Sequence, residues 1–292
     1  MLSFLLKILS CFLFLSVLFA QTCSASLLPE FFNTETSKSR LLISDPQQAM
    51  FRTLFVYSAD GAFKGKKFLD LEFGSDLPFF RLIDDTGSNS KEILSINVRG
   101  AVYSRFNFFS KSFNLYGMNY FGGLSLLYKA PWKANNEFEL YVYHESSHLG
   151  DDYLQNNPGA YAFNYSAESV RLLHYLDLFN LCQLAYGGQY AVRKDTALKI
   201  GRLTLQGNLT IPLKLSFVNA FFSADFKSRE TNKWNPEYNM QFGISLSGTE
   251  SLLNDFHHAQ SLVIEYYNGF SNLGQFYTKR EQSFSVGIAA RL

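Results

Sequence analysis

Between Phe138 and His148 the chain reads FELYVYHESSH, and two of these side chains, His144 and Ser146, could serve as a base and a nucleophile. An imidazole that takes the proton of a serine hydroxyl lets that oxygen attack an acyl carbonyl, and a third group must fix the imidazole tautomer. If the chain reverses around residues 149–159, Asn164, Ser166 or Glu168 comes within reach, and a symmetric reversal sets Asn164 opposite His144. Asn164 is therefore the expected orienting residue. Ser147 and His148 form a competing pair one position further on. His148 with Asp151 and Asp152, joined by Asn156 or Asn157, offers donors for Ca²⁺, which would polarise an ester carbonyl. An ordinary turn at Gly150-Asp151 accounts for the same residues. No Cys/His spacing suggests zinc, and Ser/His hydrolysis requires no cofactor. Ser147, Lys227, Arg229 and Trp234 are candidate ligand-binding residues; the cations suit phosphate or another acidic group, or a salt-bridged loop.

What these residues can do depends on the elements that carry them. Tyr238, Met240, Phe242, Ile244 and Leu246 interleave with Glu237, Asn239, Gln241, Gly243 and Ser245, a strict period of two and hence a strand. Leu94, Ile96 and Val98 alternate with Ser95, Asn97 and Arg99 in the same way. Alternation alone fits a soluble sandwich or a membrane barrel. Three features favour the barrel: strands of about 9–15 residues against the usual 5–6, no helical stretch after about residue 51, and an alternating run to the C-terminal Leu292 that resembles an outer-membrane assembly signal. The 30 Phe and 17 Tyr suit lipid-facing sides and interfacial girdles.

About twelve strands are expected, near 50–58, 65–73, 92–106, 113–129, 136–148, 160–175, 179–194, 199–210, 212–227, 237–248, 258–269 and 277–292. The fold class is all-β, a single antiparallel transmembrane β-barrel. With both ends in the periplasm, the turns at 149–159, 228–236 and 270–276 face outward. The parity of Phe138, Leu140 and Val142 sets His144 and Ser146 on the lipid-facing side, with Glu137, Glu139, Tyr141, Tyr143 and Glu145 toward the lumen.

Ahead of the barrel, MLSFLLK and the apolar run Ile8–Ala20 followed by QTCSAS read as a cleaved signal peptide over residues 1–25. Cleavage falls after Ala20 or after Ala25, and Cys11 fits a lipidated-cysteine site only loosely. Residues 26–49, with Pro29 and Asp45-Pro46, read as an irregular periplasmic lead-in, and residues 50–292 as the barrel. Only Cys182 then remains of three cysteines, so no internal disulfide is available. A net charge of +1 with 17% charged residues argues against a nucleic-acid-binding surface.

Five uncommon segments stand out from this background: LLISDPQQAMF from Leu41, NYFGGLSLLYK from Asn119, YHESSHLGDDY from Tyr143, DFKSRETNKWNP from Asp225 and EYYNGFSNLGQFY from Glu265. In them the chain resembles, over nearly its whole mature length, the bacterial family of domain of unknown function 1207. That resemblance implies an exported barrel and supplies no catalytic residue. Separately, the outward His-x-Ser pair is similar to the catalytic strand of outer-membrane phospholipase A and of the lipid A deacylase barrel, where an Asn or Glu on the neighbouring strand orients the histidine. Two function classes follow. One is a barrel without enzymatic activity, acting as a structural, pore or surface-binding protein. The other is a lipid acyl hydrolase. Both place the chain in the outer membrane after export through the inner membrane, with membrane lipid, lipopolysaccharide and the barrel-assembly machinery as partners. Neither reading sets the oligomeric state.

Overall fold

The structure is a computed structural model that describes residues 27–31, 42–84, 92–110, 113–129, 136–179, 181–195, 198, 201–214, 218–246 and 260–290. The expected signal peptide, its cleavage sites, Cys11 and the terminal Leu292 lie outside the described residues. The strands are β1 (Leu27–Phe31), β2 (Phe51–Gly61), β3 (Lys67–Asp84), β4 (Glu92–Asn107), β5 (Asn114–Lys129), β6 (Asn136–Leu149), β7 (Tyr165–Leu178), β8 (Cys182–Lys194), β9 (Leu203–Lys214), β10 (Asn219–Arg229), β11 (Pro236–Ser245), β12 (Gln260–Phe270) and β13 (Arg280–Ala290). A short helix, α1 (Asp151–Asn156), follows β6. Each of β2–β13 pairs antiparallel with its sequence neighbours, and β13 pairs back onto β2, so twelve strands close into a barrel.

The burial pattern separates a membrane barrel from a soluble sandwich. In β11 Met240 and Phe242 are exposed while Glu237, Asn239 and Gln241 are buried. The same inversion puts Val98, Leu124, Leu205, Ile264 and Val286 on the outside and Asn97, Ser125, Gln206, Glu265 and Ser285 inside. Apolar side chains out and polar side chains in are what lipid requires of a strand, with closure leaving no open edge.

The expected second strand, 65–73, continues to Asp84 in β3. Gly74 and Pro78 lie within this strand; β2 pairs only through Glu72 and β1 only from Phe80. In between, β3 has no strand partner on that edge among the described residues, and a bulge in the β3–β4 ladder absorbs the proline.

The stretch expected as a lead-in is described in two pieces. Part of it forms β1 on the edge of β3, and residues 42–50, though irregular, enter the lumen. Ser44 and Asp45 are fully buried. Ser44 Oγ shares a hydrogen bond of 2.8 Å with Ser223 and accepts one from Asn208 Nδ2 at 3.1 Å. Lys227 Nζ donates to Asp45 Oδ1, and Gln206 Nε2 donates to Asp45 Oδ2 at 2.9 Å. In a polar lumen hydrogen bonds and ion pairs offset the desolvation of a polar segment, and that is why these turn residues can sit inside.

Charged side chains fill the remaining interior. Arg99 donates to both oxygens of Glu139 at 3.0 and 2.8 Å and to Asp76 at 2.8 Å, and Arg171 donates to Glu139 at 3.0 Å. Arg105 binds Asp70 with two bonds, 2.8 and 2.7 Å, and Glu281 at 2.8 Å. Arg52 joins Glu72 and Glu265. At the end opposite the Phe51–Ala290 pair, Phe63, Phe68, Tyr116, Leu273 and Phe276 pack into an apolar cap over the mouth. The β12–β13 turn reaches into that mouth, where Gly274 lies so near Ser147 and Tyr165 that a Cβ would stand 2.8 Å from them.

Candidate functional site

Strand β6 carries two chemistries on its two faces. Glu139, Tyr141, Tyr143, Glu145 and Ser147 are buried in the lumen, whereas Phe138, Val142, His144 and His148 are exposed. No bulge interrupts its ladders with β5 or β7, so His144 and Ser146 lie on the outer face together. Two residues apart on one strand, their Cα atoms are separated by about 6–7 Å. They sit near the rim of the barrel opposite the Phe51–Ala290 pair.

The β6–β7 register differs from the symmetric reversal expected around 149–159. It pairs His144 with Glu168 and Ser146 with Ser166. The reason is length: α1 and the irregular stretch 157–164 extend the connection, so β7 begins only at Tyr165. Asn164, the expected orienting residue, precedes the strand and donates Nδ2 to Asp195 Oδ2 at 2.7 Å. Glu168 takes the place opposite His144, with Oε1 3.6 Å from Nδ1. The same oxygen lies 3.7 Å from Arg193 Nη1 on β8. His144, Glu168 and Arg193 thus form a row across three strands on the lipid-facing side.

The other candidates are dispersed. Ser147 and His148 point to opposite faces and cannot act as a pair. Ser147 is buried, accepts from Gln275 N at 3.1 Å through its hydroxyl, and accepts Gln275 Nε2 at 2.7 Å through its carbonyl. His148 instead packs edge-on to Tyr120. Asp152 accepts from Leu115 N at 3.2 Å, and Asp151 opens α1, exposed. Asn156 and Asn157 donate to carbonyls of the preceding turn, both at 2.7 Å. Among the described residues no group of three or more His, Cys, Asp or Glu is placed to hold a metal ion, so His148, Asp151 and Asp152 do not form the expected set. Lys227 is committed to Asp45 inside the barrel, Arg229 lies 3.5 Å from Glu237, and Trp234 stands exposed in the β10–β11 turn. The cations expected to receive an anion are therefore neutralised by the barrel's own carboxylates.

The segments that begin at Tyr143, Asp225 and Glu265 meet at one end of the barrel. Ser147 binds Gln275, and a small void beneath the rim is lined by Glu145, Tyr165, Lys227, Arg229 and Tyr277.

The family profile described as protein of unknown function (DUF1207) matches residues 21–291. The chain belongs to that family. No protein of curated function matches this DUF1207 chain by sequence. Among solved structures, it is similar to outer membrane phospholipase A from Escherichia coli, with 13% identity over 88% of this chain and 96% of that one and a TM-score of 0.58. It is also similar to the Salmonella typhi outer membrane phospholipase dimer with bound calcium, at 12% identity over 90% of this chain and 97% of that one, with a TM-score of 0.59. At such identity the likeness is one of fold, and the fold is that of outer-membrane barrels.

Sequence reading named Glu168 only as a later choice and missed Arg193. One signal could have raised Glu168: a charged residue at a lipid-facing position is costly and calls for a partner. Glu168 shares the outward parity of Val170 and Leu172. Arg193 does so only through a bulge.

Proposed function

We propose that this barrel is a serine acyl hydrolase of the outer membrane that cleaves ester-linked acyl chains of membrane lipid. The observation that carries the proposal is the outward row in which Glu168 faces His144 Nδ1 at 3.6 Å with Ser146 on the same face of the same strand. A base, an acceptor for the base and a hydroxyl thus stand together on the lipid-facing side of two neighbouring strands.

In this reading Nδ1–H of His144 points to Glu168, which leaves Nε2 as the base. Ser146 Oγ forms a bond to the acyl carbon as Nε2 takes its proton, and the C–O bond to the lipid alcohol then breaks as the leaving oxygen takes that proton from Nε2. Water, deprotonated by the same nitrogen, releases the fatty acid and restores Ser146. Rotation of the two side chains brings imidazole and hydroxyl together, as is common when substrate is absent. The ester of a lipid in the outer leaflet meets this face of the barrel directly, so phospholipid and the acylated part of lipopolysaccharide are the substrate class. Export through the inner membrane and insertion by the barrel-assembly machinery belong to the same proposal.

The plugged lumen speaks against the pore alternative: residues 42–50 and the Arg99–Glu139–Arg171 cluster occupy the path. The test is fatty-acid release from phospholipid vesicles and from lipid A by the purified barrel. Ser146→Ala and His144→Ala should each abolish it while the barrel remains folded; full activity in both variants would remove the mechanism.

A further inference from the structure

The β7–β8 ladder is regular from Leu178 up to Ser169, which pairs with Ala191, but the next residue, Glu168, pairs with Arg193. Val192 is the extra residue of a bulge. Ala191 is buried in the lumen, and in an unbroken strand Arg193, two residues on, would share its inward parity. The bulge turns the guanidinium outward instead, with 66% of the side chain exposed, and sets Nη1 3.7 Å from the Glu168 oxygen that faces His144. Bulges beside active sites re-aim a side chain in this way.

A carboxylate on a lipid-facing surface needs a countercharge, and half-exposed His144 cannot supply one while it serves as a neutral base. Arginine, charged under all working conditions and planar, is suited to the task. We infer that Arg193 is a positioning residue: it supplies the countercharge of Glu168 and holds the carboxylate aimed at His144 Nδ1, so that Nε2 is kept as the base toward Ser146. The inference rests on the Ser146–His144 reading above and goes beyond it in assigning the bulge and its arginine a part in the reaction.

The experiment uses the full-length barrel with phospholipid vesicles and two readouts, fatty-acid release and the rate of covalent labelling of Ser146 by a serine-directed phosphonate. Arg193→Gln should lower kcat on the order of 10- to 100-fold, the range of an impaired general base, with KM little changed, and should slow labelling in parallel. Arg193→Lys should recover most of the loss. In a Glu168→Gln background, where the neutral amide needs no countercharge, Arg193→Gln should add almost nothing, because coupled residues are non-additive. Three results would overturn the inference: unchanged kcat in Arg193→Gln, a rise in KM alone, which would mark Arg193 as a substrate contact, or the same loss in both backgrounds. If Ser146→Ala abolishes hydrolysis and Arg193→Gln does not affect it, only the role of Arg193 falls. If the wild-type barrel neither hydrolyses lipid nor labels, the inference falls together with the proposed function.

Discussion

The lumen and the outer rim of this barrel are both rich in charge, and they treat it in opposite ways. Inside, Glu139 is fully buried and receives bonds from Arg99, Arg171 and Tyr175, so its acceptor positions are occupied by fixed donors. Outside, His144 and Glu168 are 50% and 40% exposed and approach only to 3.6 Å. A carboxylate held in this way serves structure and has little capacity left for a substrate. In the proposed reading the exposed, loosely paired His144 and Glu168 keep donors and acceptors for a substrate. Density of charge is therefore a poor guide to function in this molecule, and unspent hydrogen-bonding capacity on the lipid side is a better one.

The largest effect that could break this contrast is on chemistry. Ser146→Ala should cost roughly 10⁴-fold or more in turnover, as loss of a nucleophile does elsewhere, without lowering the denaturant midpoint of the barrel. Next comes the lumen. Glu139→Ala leaves two guanidiniums short of a buried partner and should destabilise the fold by about 3–5 kcal/mol, read by urea unfolding from lipid or detergent. An unchanged midpoint there would mean that the lumen network is dispensable.

A smaller effect should appear with pH. Burial alone would raise the Asp45 carboxyl, but Lys227 and Arg171 outweigh it and hold the group well below the usual carboxylate range. Asp45 thus binds its proton less readily folded than unfolded. Its pairing stabilises the barrel above the unfolded value of about 4 and is lost as pH falls below that, a change of about 2 kcal/mol for a carboxylate held in this way. Asp45→Asn should flatten the acid limb of the stability curve, and parallel wild-type and variant curves from pH 6 to pH 2 would contradict the assignment.

The smallest effect sharpens the comparison within one strand. Ser147→Ala, one residue from the proposed nucleophile Ser146 but facing inward, removes the acceptor of Gln275 N and should cost about 1 kcal/mol of stability while leaving the proposed hydrolysis by the folded fraction intact. Adjacent serines would then separate cleanly into one that works and one that holds.

Much of this was legible in the residues. Strict alternation in β11, its repetition along the chain and the parity of Phe138, Leu140 and Val142 determined an all-β barrel of about twelve strands and the outward face of His144 and Ser146, because period two is a local property of extended backbone. Three decisions belonged to the tertiary structure. The register of β6 against β7 depended on how many residues α1 and the following stretch consume, and that exchanged Asn164 for Glu168. The bulge at Val192 depended on pairing across β7–β8, and it turned Arg193 from lumen to lipid. The place of residues 42–50 depended on Ser223, Gln206 and Lys227, some 160 to 180 positions away in sequence. Which side a residue faces can be read from its neighbours along the chain; which partner it meets is set by chain closure, register and bulges, and those exist only once the barrel has formed.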